Sequence, residues 1–343
     1  MLLLSDGRPG HYHLADGVIA AMARVRPVDI ERLAVQRRKL APARLLAQAL
    51  RGAALSPVRA QAVLKLGYGI DARTLPKADL VISAGGDTIA ANVAVASVLG
   101  VPNIFCGSLR HVPPERFSLI ISSYQRHAHR PRHLICLKPS GMDPDQLGRP
   151  LVVPRYGPAN RPARAALLIG GDSGLFHYQP DEWRALLGFL PALHQAWGTR
   201  WLVSTSRRTP DWVADAVAKL AAASGAIERV IDYRTVGPGT LPSVFANCDA
   251  VLCTEDSSTM ISEAIAARLP VVGIAPMSHS FKPEEAEYRA FMLAQNWCRF
   301  LPMATLSIDS FGSALNGVTP MASNHLDALA QRLVAALPEF FAG

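Results

Sequence analysis

The sequence predicts an α/β protein with two Rossmann-like domains, each built on a parallel β-sheet. Three observations predict this fold class. The chain has 343 residues, more than one ordinary domain of about 100 to 200 residues holds. Short apolar segments alternate with helix-forming segments in two successive rounds, as in βα units. A segment rich in proline and glycine, residues 138–162, separates the rounds in the manner of an interdomain linker.

The first round of elements is predicted from short apolar runs bounded by turn residues, with helical stretches between them. Ala, Leu and Arg, which are good helix formers, dominate residues 37–66, and Pro42 and Pro57 interrupt this stretch. Further helices are predicted over 14–24 and after Thr88. The predicted strands are 2–4, 28–34, 80–83, 103–106, 119–122 and 134–137.

The second round repeats this alternation more clearly. Its predicted strands are 165–169, 201–204, 229–232, 250–253 and 270–274. Its predicted helices are 181–197, 211–223, about 241–247 and one that begins near residue 256. We therefore divide the chain into domains at 1–155 and 156–320, followed by a C-terminal helix within 321–343 that is expected to pack back on the first domain.

Composition narrows the class of protein. Apolar runs such as 165–169 are far shorter than the roughly 20 residues of a membrane-spanning helix. The first residues lack the basic start and apolar core of a signal peptide, which predicts a cytoplasmic location. The five cysteines are scattered, without the close pairs typical of zinc sites. They are expected to be reduced thiols, most of them buried.

Charge is unevenly distributed along the chain. Residues 1–164 hold 23 basic and 10 acidic side chains, whereas 165–343 hold 12 and 17. A basic field in one half suits nucleic acid, an anionic membrane surface or an acidic acceptor, or it is an ordinary solvated surface. Nucleic acid is not the expected partner.

The most informative segment runs from Thr254 to Glu263, after a predicted strand. Ligands of open parallel sheets bind at the carboxyl edge. Asp256, Ser257 and Ser258 are good N-caps, so the helix that begins there would direct its free N–H groups at a ligand. Such an end suits a diphosphate, and Glu263 could accept hydrogen bonds from both hydroxyls of a ribose. Alternatively, these residues only cap the helix, and Glu263 is solvated.

Three motifs follow predicted strands of the second round in order. They are Gly170-Gly171, then Ser206-Arg207-Arg208-Thr209-Pro210, and then Thr254-Glu255-Asp256-Ser257 with Met260-Ile261-Ser262-Glu263-Ala264. Together they resemble the mitochondrial-fission "elongated mitochondria" family, whose bacterial members are regarded as GT-B glycosyltransferases. More distantly, the helix with Ser262 and Glu263 resembles the donor site of the peptidoglycan-precursor N-acetylglucosaminyltransferases. The resemblance covers residues 165–275 well.

This resemblance implies two Rossmann-like domains that face a central cleft. It also implies an inverting, metal-independent hexosyltransferase, whose substrate is a nucleoside-diphosphate sugar and which needs no further cofactor. The implied nucleotide-sugar-binding residues are Gly170, Gly171, Ser206, Arg207, Arg208, Thr254, Glu255, Asp256, Ser257, Ser258, Met260 and Glu263.

The N-terminal segment Gly7-Arg8-Pro9-Gly10-His11 resembles the first-strand loop of the family, which implies a position facing the acceptor. Gly7, Arg8, Gly10 and Asp87 are the implied acceptor-side residues. His11 is the candidate general base, because an imidazole, with an ordinary pKa of about 6.5, can take a proton from an acceptor hydroxyl. The alternative is a histidine that only forms hydrogen bonds, since His13 is two positions away.

Several alternatives stay open. The turn Gly85-Gly86-Asp87-Thr88 departs from the family pattern and is either a phosphate-binding turn or a tight strand-to-helix turn. His127, His129 and His133 have a spacing that could ligate a metal, but neighbouring arginines disfavour a cation there. A nucleotide-sugar 2-epimerase uses the same fold, and a non-catalytic scaffold that recruits partners would bind no nucleotide.

The acceptor is not identified by the sequence. Residues 37–66 interleave arginine and leucine, which is the composition of an interfacial helix or of an ordinary packed basic helix. The first reading predicts an anionic membrane surface as partner, a peripheral location on the inner membrane face, and a lipid-linked or otherwise anionic acceptor.

Overall fold

The computed structural model describes residues 1–52 and 55–342, and these fall into two compact units. The first unit comprises Met1–Gly141 and the C-terminal residues from His325 onward, and the second comprises Met142–Asn324. Residues 142–155 therefore group with the second unit, whereas the sequence-based boundary falls after residue 155.

The first unit is built from strands that alternate with helices. Its elements up to residue 141 are β1 (Leu2–Ser5), α1 (Pro9–Met22), β2 (Glu31–Ala34), α2 (Ala43–Ala49), α3 (Pro57–Tyr68), β3 (Val81–Ala84), α4 (Ile89–Leu99), β4 (Asn103–Cys106), β5 (Leu119–Ser122) and β6 (His133–Ile135). The strands form one six-stranded parallel sheet in the order β2-β1-β3-β4-β5-β6.

Both faces of this sheet are covered, because successive side chains of a strand point to opposite faces. Leu2 and Leu4 of β1 lie in a core with residues of α2, α3 and α4, whereas Leu3 lies in a second core with residues of α1. A parallel sheet buried on both faces requires continuous apolar strands, which is why β1 shows no polar alternation.

The second unit repeats the alternation with one insertion. Its elements are β7 (Arg164–Leu168), β8 (Phe176–His177), α5 (Pro180–Trp197), β9 (Arg200–Ser204), α6 (Asp211–Ala223), β10 (Ile227–Ile231), α7 (Tyr233–Val236), α8 (Leu241–Phe245), β11 (Ala250–Thr254), α9 (Ser258–Ala266), β12 (Val271–Ala275), β13 (Ser278–His279), α10 (Pro283–Ala294), β14 (Cys298–Pro302) and α11 (Ile308–Asn316). The short strands β8 and β13 form a separate antiparallel pair.

The six long strands of the second unit form a parallel sheet in the order β10-β9-β7-β11-β12-β14. Counted along the unit, this is the 3-2-1-4-5-6 order of dinucleotide-binding Rossmann folds. The chain moves outward in one direction from β7 and in the other from β11, so the switch point lies between these two neighbouring strands. In the first unit the corresponding reversal lies between β1 and β3.

The last helices, α12 (His325–Ala336) and α13 (Pro338–Phe341), belong to the first unit. Leu326, Leu329 and Leu333 of α12 join the core that contains Leu3 and residues of α1. A salt bridge of 3.2 Å between Arg24 Nε and an oxygen of Asp327 lies beside this packed face.

The structure corrects several predicted elements. Helix α1 begins at Pro9 rather than near residue 14, because proline is well accommodated in the first helical turn. It therefore takes Gly10 and His11 out of the predicted loop and into that turn. The predicted strand at 229–232 lies instead at Ile227–Ile231. Within the described residues, no helix is both long and apolar enough to cross a membrane.

The cysteines are free, and Cys106, Cys248, Cys253 and Cys298 are buried. Burial raises the pKa of Cys248 and of Cys298 to about 12. At about pH 8 such a thiol is ionised in on the order of one molecule in 10⁴, and the thiolate is the reactive form.

We therefore expect these four thiols to react with iodoacetamide orders of magnitude more slowly in the native protein than in denaturant. Mass spectrometry of timed samples measures the difference. Complete alkylation of the native protein at the denatured rate would contradict the burial.

Candidate functional site

The candidate donor site lies at the carboxyl ends of β7 and β11, the switch point of the second sheet. Gly170 and Gly171 follow β7, and Glu255 and Asp256 follow β11. The backbone N–H of Gly170 donates to Thr254 Oγ1 at 2.7 Å, which joins the two strand ends. Two of the three sequence motifs thus meet at one edge, as the carboxyl-edge rule predicts.

Asp256 links the segments that meet at this edge, and its side chain is 0% exposed. Its carboxylate accepts hydrogen bonds from the backbone N–H of Gly171 at 3.2 Å, from Tyr178 Oη at 3.0 Å and from Arg208 Nε at 3.1 Å. Burial, and then the charge of Asp256, raises the pKa of Tyr178, so its hydroxyl remains a donor. With its side chain enclosed, Asp256 holds three loops together rather than offering an oxygen to a ligand.

Glycine is required at both positions after β7, because neighbouring loops lie directly against the backbone there. A Cβ on Gly170 would lie 2.2 Å from Asp256 Oδ2, and a Cβ on Gly171 would lie 2.0 Å from the carbonyl oxygen of Arg208. Atoms cannot pack at such distances, so any side chain here would separate the loops that Asp256 joins.

The third motif, after β9, is tied to the same edge. Thr209 Oγ1 donates to the carbonyl oxygen of Ile169 at 2.8 Å and accepts from the backbone N–H of Ser206 at 2.8 Å. Arg208 is half-buried and paired with Asp256, whereas Arg207 is exposed. Of the two predicted arginines, Arg207 is therefore the one whose charge is available to an anion.

Glu255 has a buried partner that the sequence did not reveal. Arg289 of α10 donates from Nε to Glu255 Oε2 at 3.0 Å and from Nη2 to the Glu255 carbonyl oxygen at 2.6 Å. Burial raises the pKa of Glu255, and the positive charge of Arg289 opposes that rise. The Arg289 guanidinium also lies 3.9 Å from the ring centroid of Phe281. Glu255 thus fixes the loop after β11 rather than facing a ligand directly.

Helix α9 begins directly after this loop. Ser257 is its N-cap and accepts from the backbone N–H of Met260. Ser258 and Met260 are half-buried in the first turn, where the free N–H groups of a helix concentrate partial positive charge. Glu263 lies further along the helix and is buried, so the alternative of a solvated residue does not apply.

A cavity of about 460 Å³ adjoins the first turn of α9. Its lining includes Asp256 and Ser258 from the predicted motif, and side chains that the sequence did not single out, namely Ser173, Phe176, Phe281, Lys282, Glu285 and Arg289. A cavity of this size, with aromatic walls and a few charged groups, is of the kind that holds small molecules.

A larger cavity of about 750 Å³ lies in the first unit and has a weaker claim to be a functional site. It is lined by Arg26, Asp79, Pro102 and Ser118 among others, close to the amino ends of the strands. Ligands of parallel sheets bind at the opposite edge. Arg26 is already engaged, because it donates to the Phe340 carbonyl oxygen at 2.8 Å and lies over the Phe340 ring.

The first unit brings His11 together with Asp6 at its own switch point. His11 Nδ1 lies 2.8 Å from Asp6 Oδ2, and the Asp6 side chain is only 5% exposed. A carboxylate can only accept, so Nδ1 carries the proton in this pair and Nε2 is left as the basic nitrogen. The His11 side chain is 32% exposed, which leaves it accessible to a substrate.

The turn after β3 passes directly beneath this imidazole. A Cβ on Gly85, whose φ is +93°, would lie 2.2 Å from His11 Nδ1. Thr88 Oγ1 donates back to the carbonyl oxygens of Ala84 and Gly85. The segment 85–88 is therefore the tight strand-to-helix turn, and Gly85 makes room for His11.

The other predicted acceptor-side residues differ in their exposure and in their partners. Asp87 is bound on both oxygens, by Arg8 at 3.4 Å and by Arg37 at 3.1 Å, so its charge is neutralised. Gly7 and Gly10 are exposed. The structure thus brings His11, Arg8 and Asp87 to one sheet edge. It also places Asp6 there, and the only sequence signal for Asp6 is its position five residues before His11.

The histidines at 127, 129 and 133 do not converge on one point. The His127 and His133 rings lie 5.3 Å apart between centroids, and His127 Nδ1 is 3.0 Å from Ser122 Oγ. His129 is exposed. Across residues 1–52 and 55–342, no group of three or more His, Cys, Asp or Glu side chains could hold a metal ion.

The family model described as Mitochondrial fission ELM1 matches residues 9–335. The comparison with curated proteins gives no match.

Solved structures resemble the whole chain at low identity. Methanocaldococcus jannaschii UDP-GlcNAc 2-epimerase in complex with UDP-GlcNAc and UDP is 11% identical, with a TM-score of 0.52 over 98% of each chain. S. aureus MnaA in a co-structure with UDP is 10% identical, with a TM-score of 0.54 over 99% of this chain and 96% of that one. The glycotransferase of kitacinnamycin is 14% identical, with a TM-score of 0.50 over 98% and 95%. The predicted fold class is confirmed as α/β with two Rossmann-like units of the GT-B kind.

Proposed function

The chain belongs to the Mitochondrial fission ELM1 family, and from that premise we propose that it is a glycosyltransferase that moves a sugar from a nucleoside-diphosphate sugar to an acceptor hydroxyl. One observation carries this proposal. In the second unit, the switch point of a Rossmann-ordered sheet unites the strand-end motifs with the first turn of α9 and a cavity of about 460 Å³.

The donor would bind at this switch point. The backbone amides at the start of α9, near Ser258, would receive the diphosphate, and the exposed Arg207 would add charge. These groups lie where negative charge develops as the diphosphate leaves. Glu263 would accept hydrogen bonds from the ribose. The bound UDP and UDP-GlcNAc named for the M. jannaschii epimerase support a nucleotide sugar as the ligand class.

The acceptor would be activated by the Asp6–His11 pair. His11 Nε2 would take the proton of the acceptor hydroxyl as its oxygen forms a bond to the anomeric carbon. The bond from that carbon to the diphosphate breaks, and its electron pair leaves with the diphosphate oxygen. Attack opposite the leaving group inverts the anomeric centre, and no step of this proposal uses a metal.

The shared fold favours a second candidate, a nucleotide-sugar 2-epimerase, because the M. jannaschii enzyme superposes over nearly the whole chain. An epimerase needs no acceptor. Incubation of the protein with a nucleotide sugar alone therefore separates the two activities, since an epimerase changes the sugar and a transferase leaves it unchanged.

A screen of nucleoside diphosphates and their sugars by thermal unfolding tests the proposed donor site. A ligand at a hundredfold excess over its dissociation constant stabilises the native state by about 2.7 kcal/mol. We expect a shift with one base and not with others. The absence of any shift would favour a non-catalytic scaffold over both enzymes.

Glu263→Ala is expected to lower nucleotide affinity at least tenfold, because charged hydrogen bonds to the ribose, worth about 1.5 to 3 kcal/mol each, are lost. Titration calorimetry with the nucleotide found in the screen measures this. Since Glu263 is buried, Glu263→Gln keeps its volume and serves as the milder variant. Asp309→Ala removes an exposed carboxylate of the same unit as a control. An unchanged dissociation constant in both Glu263 variants would refute the ribose assignment.

A further inference from the structure

A second feature of the first unit lies outside both candidate sites. Between Glu31 and Asp71 the sequence contains eight basic residues and no acidic one. Several of these basic residues share a surface with large exposed leucines. We call this surface the α2–α3 face, defined by Arg38, Lys39, Leu40, Arg44, Leu45, Lys65 and Leu66.

The leucines of the α2–α3 face are unusually exposed for their type. Leu40 is 97% exposed, Leu45 is 59% exposed and Leu66 is 69% exposed. In α2 itself, Leu46 and Ala47 are buried in the core. Helix α2 therefore packs against the core through these two residues and leaves Leu45 outward, while Leu40, which precedes the helix, adds a second exposed leucine.

Contacts between elements bring these residues together. Gly67 of α3 lies against Leu46 of α2, since a Cβ on Gly67 would be 3.0 Å from Leu46 Cδ2. Leu45 directly precedes Leu46, and Leu66 directly precedes Gly67. The segment before α2 joins them, because the backbone N–H of Arg38 donates to the Gly67 carbonyl oxygen at 2.9 Å.

We propose that the α2–α3 face docks on an anionic lipid bilayer. Exposed arginines and lysines meet phosphate headgroups, while leucines on the same face enter the boundary between headgroups and acyl chains. Nucleic acid would satisfy the charges but would leave Leu40 and its neighbours in water. The docking is independent of the proposed transfer, because none of these residues belongs to either candidate site.

The test is cosedimentation of the full chain with vesicles of phosphatidylglycerol and phosphatidylcholine, and with phosphatidylcholine alone. Binding is expected only to the anionic vesicles at low salt. It should be lost at high salt, where screening shortens the reach of surface charges. Arg38→Gln/Lys39→Gln/Arg44→Gln should weaken binding about a hundredfold, on the order of fivefold for each charge.

Leu40→Ser/Leu45→Ser distinguishes a bilayer from other anionic partners, because it changes no charge. This variant should also lose vesicle binding, whereas the control Leu151→Ser/Val152→Ser, which alters exposed residues of the second unit, should bind as the unaltered chain does. Undiminished vesicle binding by the Leu40/Leu45 variant overturns the proposal. So does retention on single-stranded RNA without any binding to anionic vesicles.

Discussion

Replacement of His11 by alanine is expected to reduce sugar transfer by about 10²- to 10⁴-fold while leaving nucleotide affinity unchanged, since general base catalysis contributes on this scale. The His11 imidazole lies 2.8 Å from the Asp6 carboxylate. It belongs to the first unit, whereas the residues proposed to bind the donor belong to the second. Its loss removes the proton acceptor and no donor contact. Transfer assays with the nucleotide sugar found in the screen, together with calorimetry of donor binding, measure the two effects separately.

Two further variants make this prediction specific. Asp6→Asn can donate a hydrogen bond to Nδ1, which reverses the tautomer and turns Nε2 into a donor, so transfer should fall without loss of fold. His13→Ala removes a neighbouring histidine of α1 and should retain activity. If His11→Ala weakens donor binding as much as transfer, His11 is a structural residue and the proposed mechanism is wrong.

Replacement of Asp256 by alanine is expected to destabilise the protein by about 2 to 4 kcal/mol, because each enclosed donor that loses this shared acceptor costs about 1 to 3 kcal/mol. The change leaves the Arg208 guanidinium, the Tyr178 hydroxyl and the Gly171 N–H without their shared acceptor. The ends of β7, β9 and β11 should separate, so nucleotide binding should be lost together with stability.

Equilibrium unfolding in urea measures the change in the free energy of unfolding. Asp181→Ala, which removes a carboxylate that is 92% exposed in the same unit, should leave that free energy unchanged. An Asp256 variant as stable as the unaltered protein, but unable to bind nucleotide, would show instead that Asp256 contacts the ligand.

Much of the architecture could be read from local patterns. The apolar runs at 165–169 and 250–253 gave β7 and β11 nearly to the residue, because a strand buried on both faces has to be continuously apolar. The polar turns that follow these strands identified the edge of the sheet at which the candidate site lies, because the carboxyl ends of parallel strands all meet at the same edge. The insertion β8–β13, the strand β14 and the helices α10 and α11 were not predicted, although Ser307 caps the start of α11.

The roles of individual side chains were less predictable, and Asp256 is the plainest case. Its position before a helix marked it as a capping or ligand-binding residue, yet Ser257 caps α9 and Asp256 is enclosed. Its partners Arg208 and Tyr178 lie 48 and 78 residues away in the sequence. No local pattern records which distant residues a carboxylate will meet.

The sequence by itself determined the family, the two rounds of βα units and the strand ends at which the candidate sites lie, because these follow from short-range periodicity and from motifs in order. Only the tertiary structure decided that Asp256 and Glu255 hold loops in place, that Asp6 orients His11 and that leucines stay exposed on the α2–α3 face. The physical reason is that burial and ion pairing depend on which segments the fold brings together, and these segments are mostly far apart along the chain.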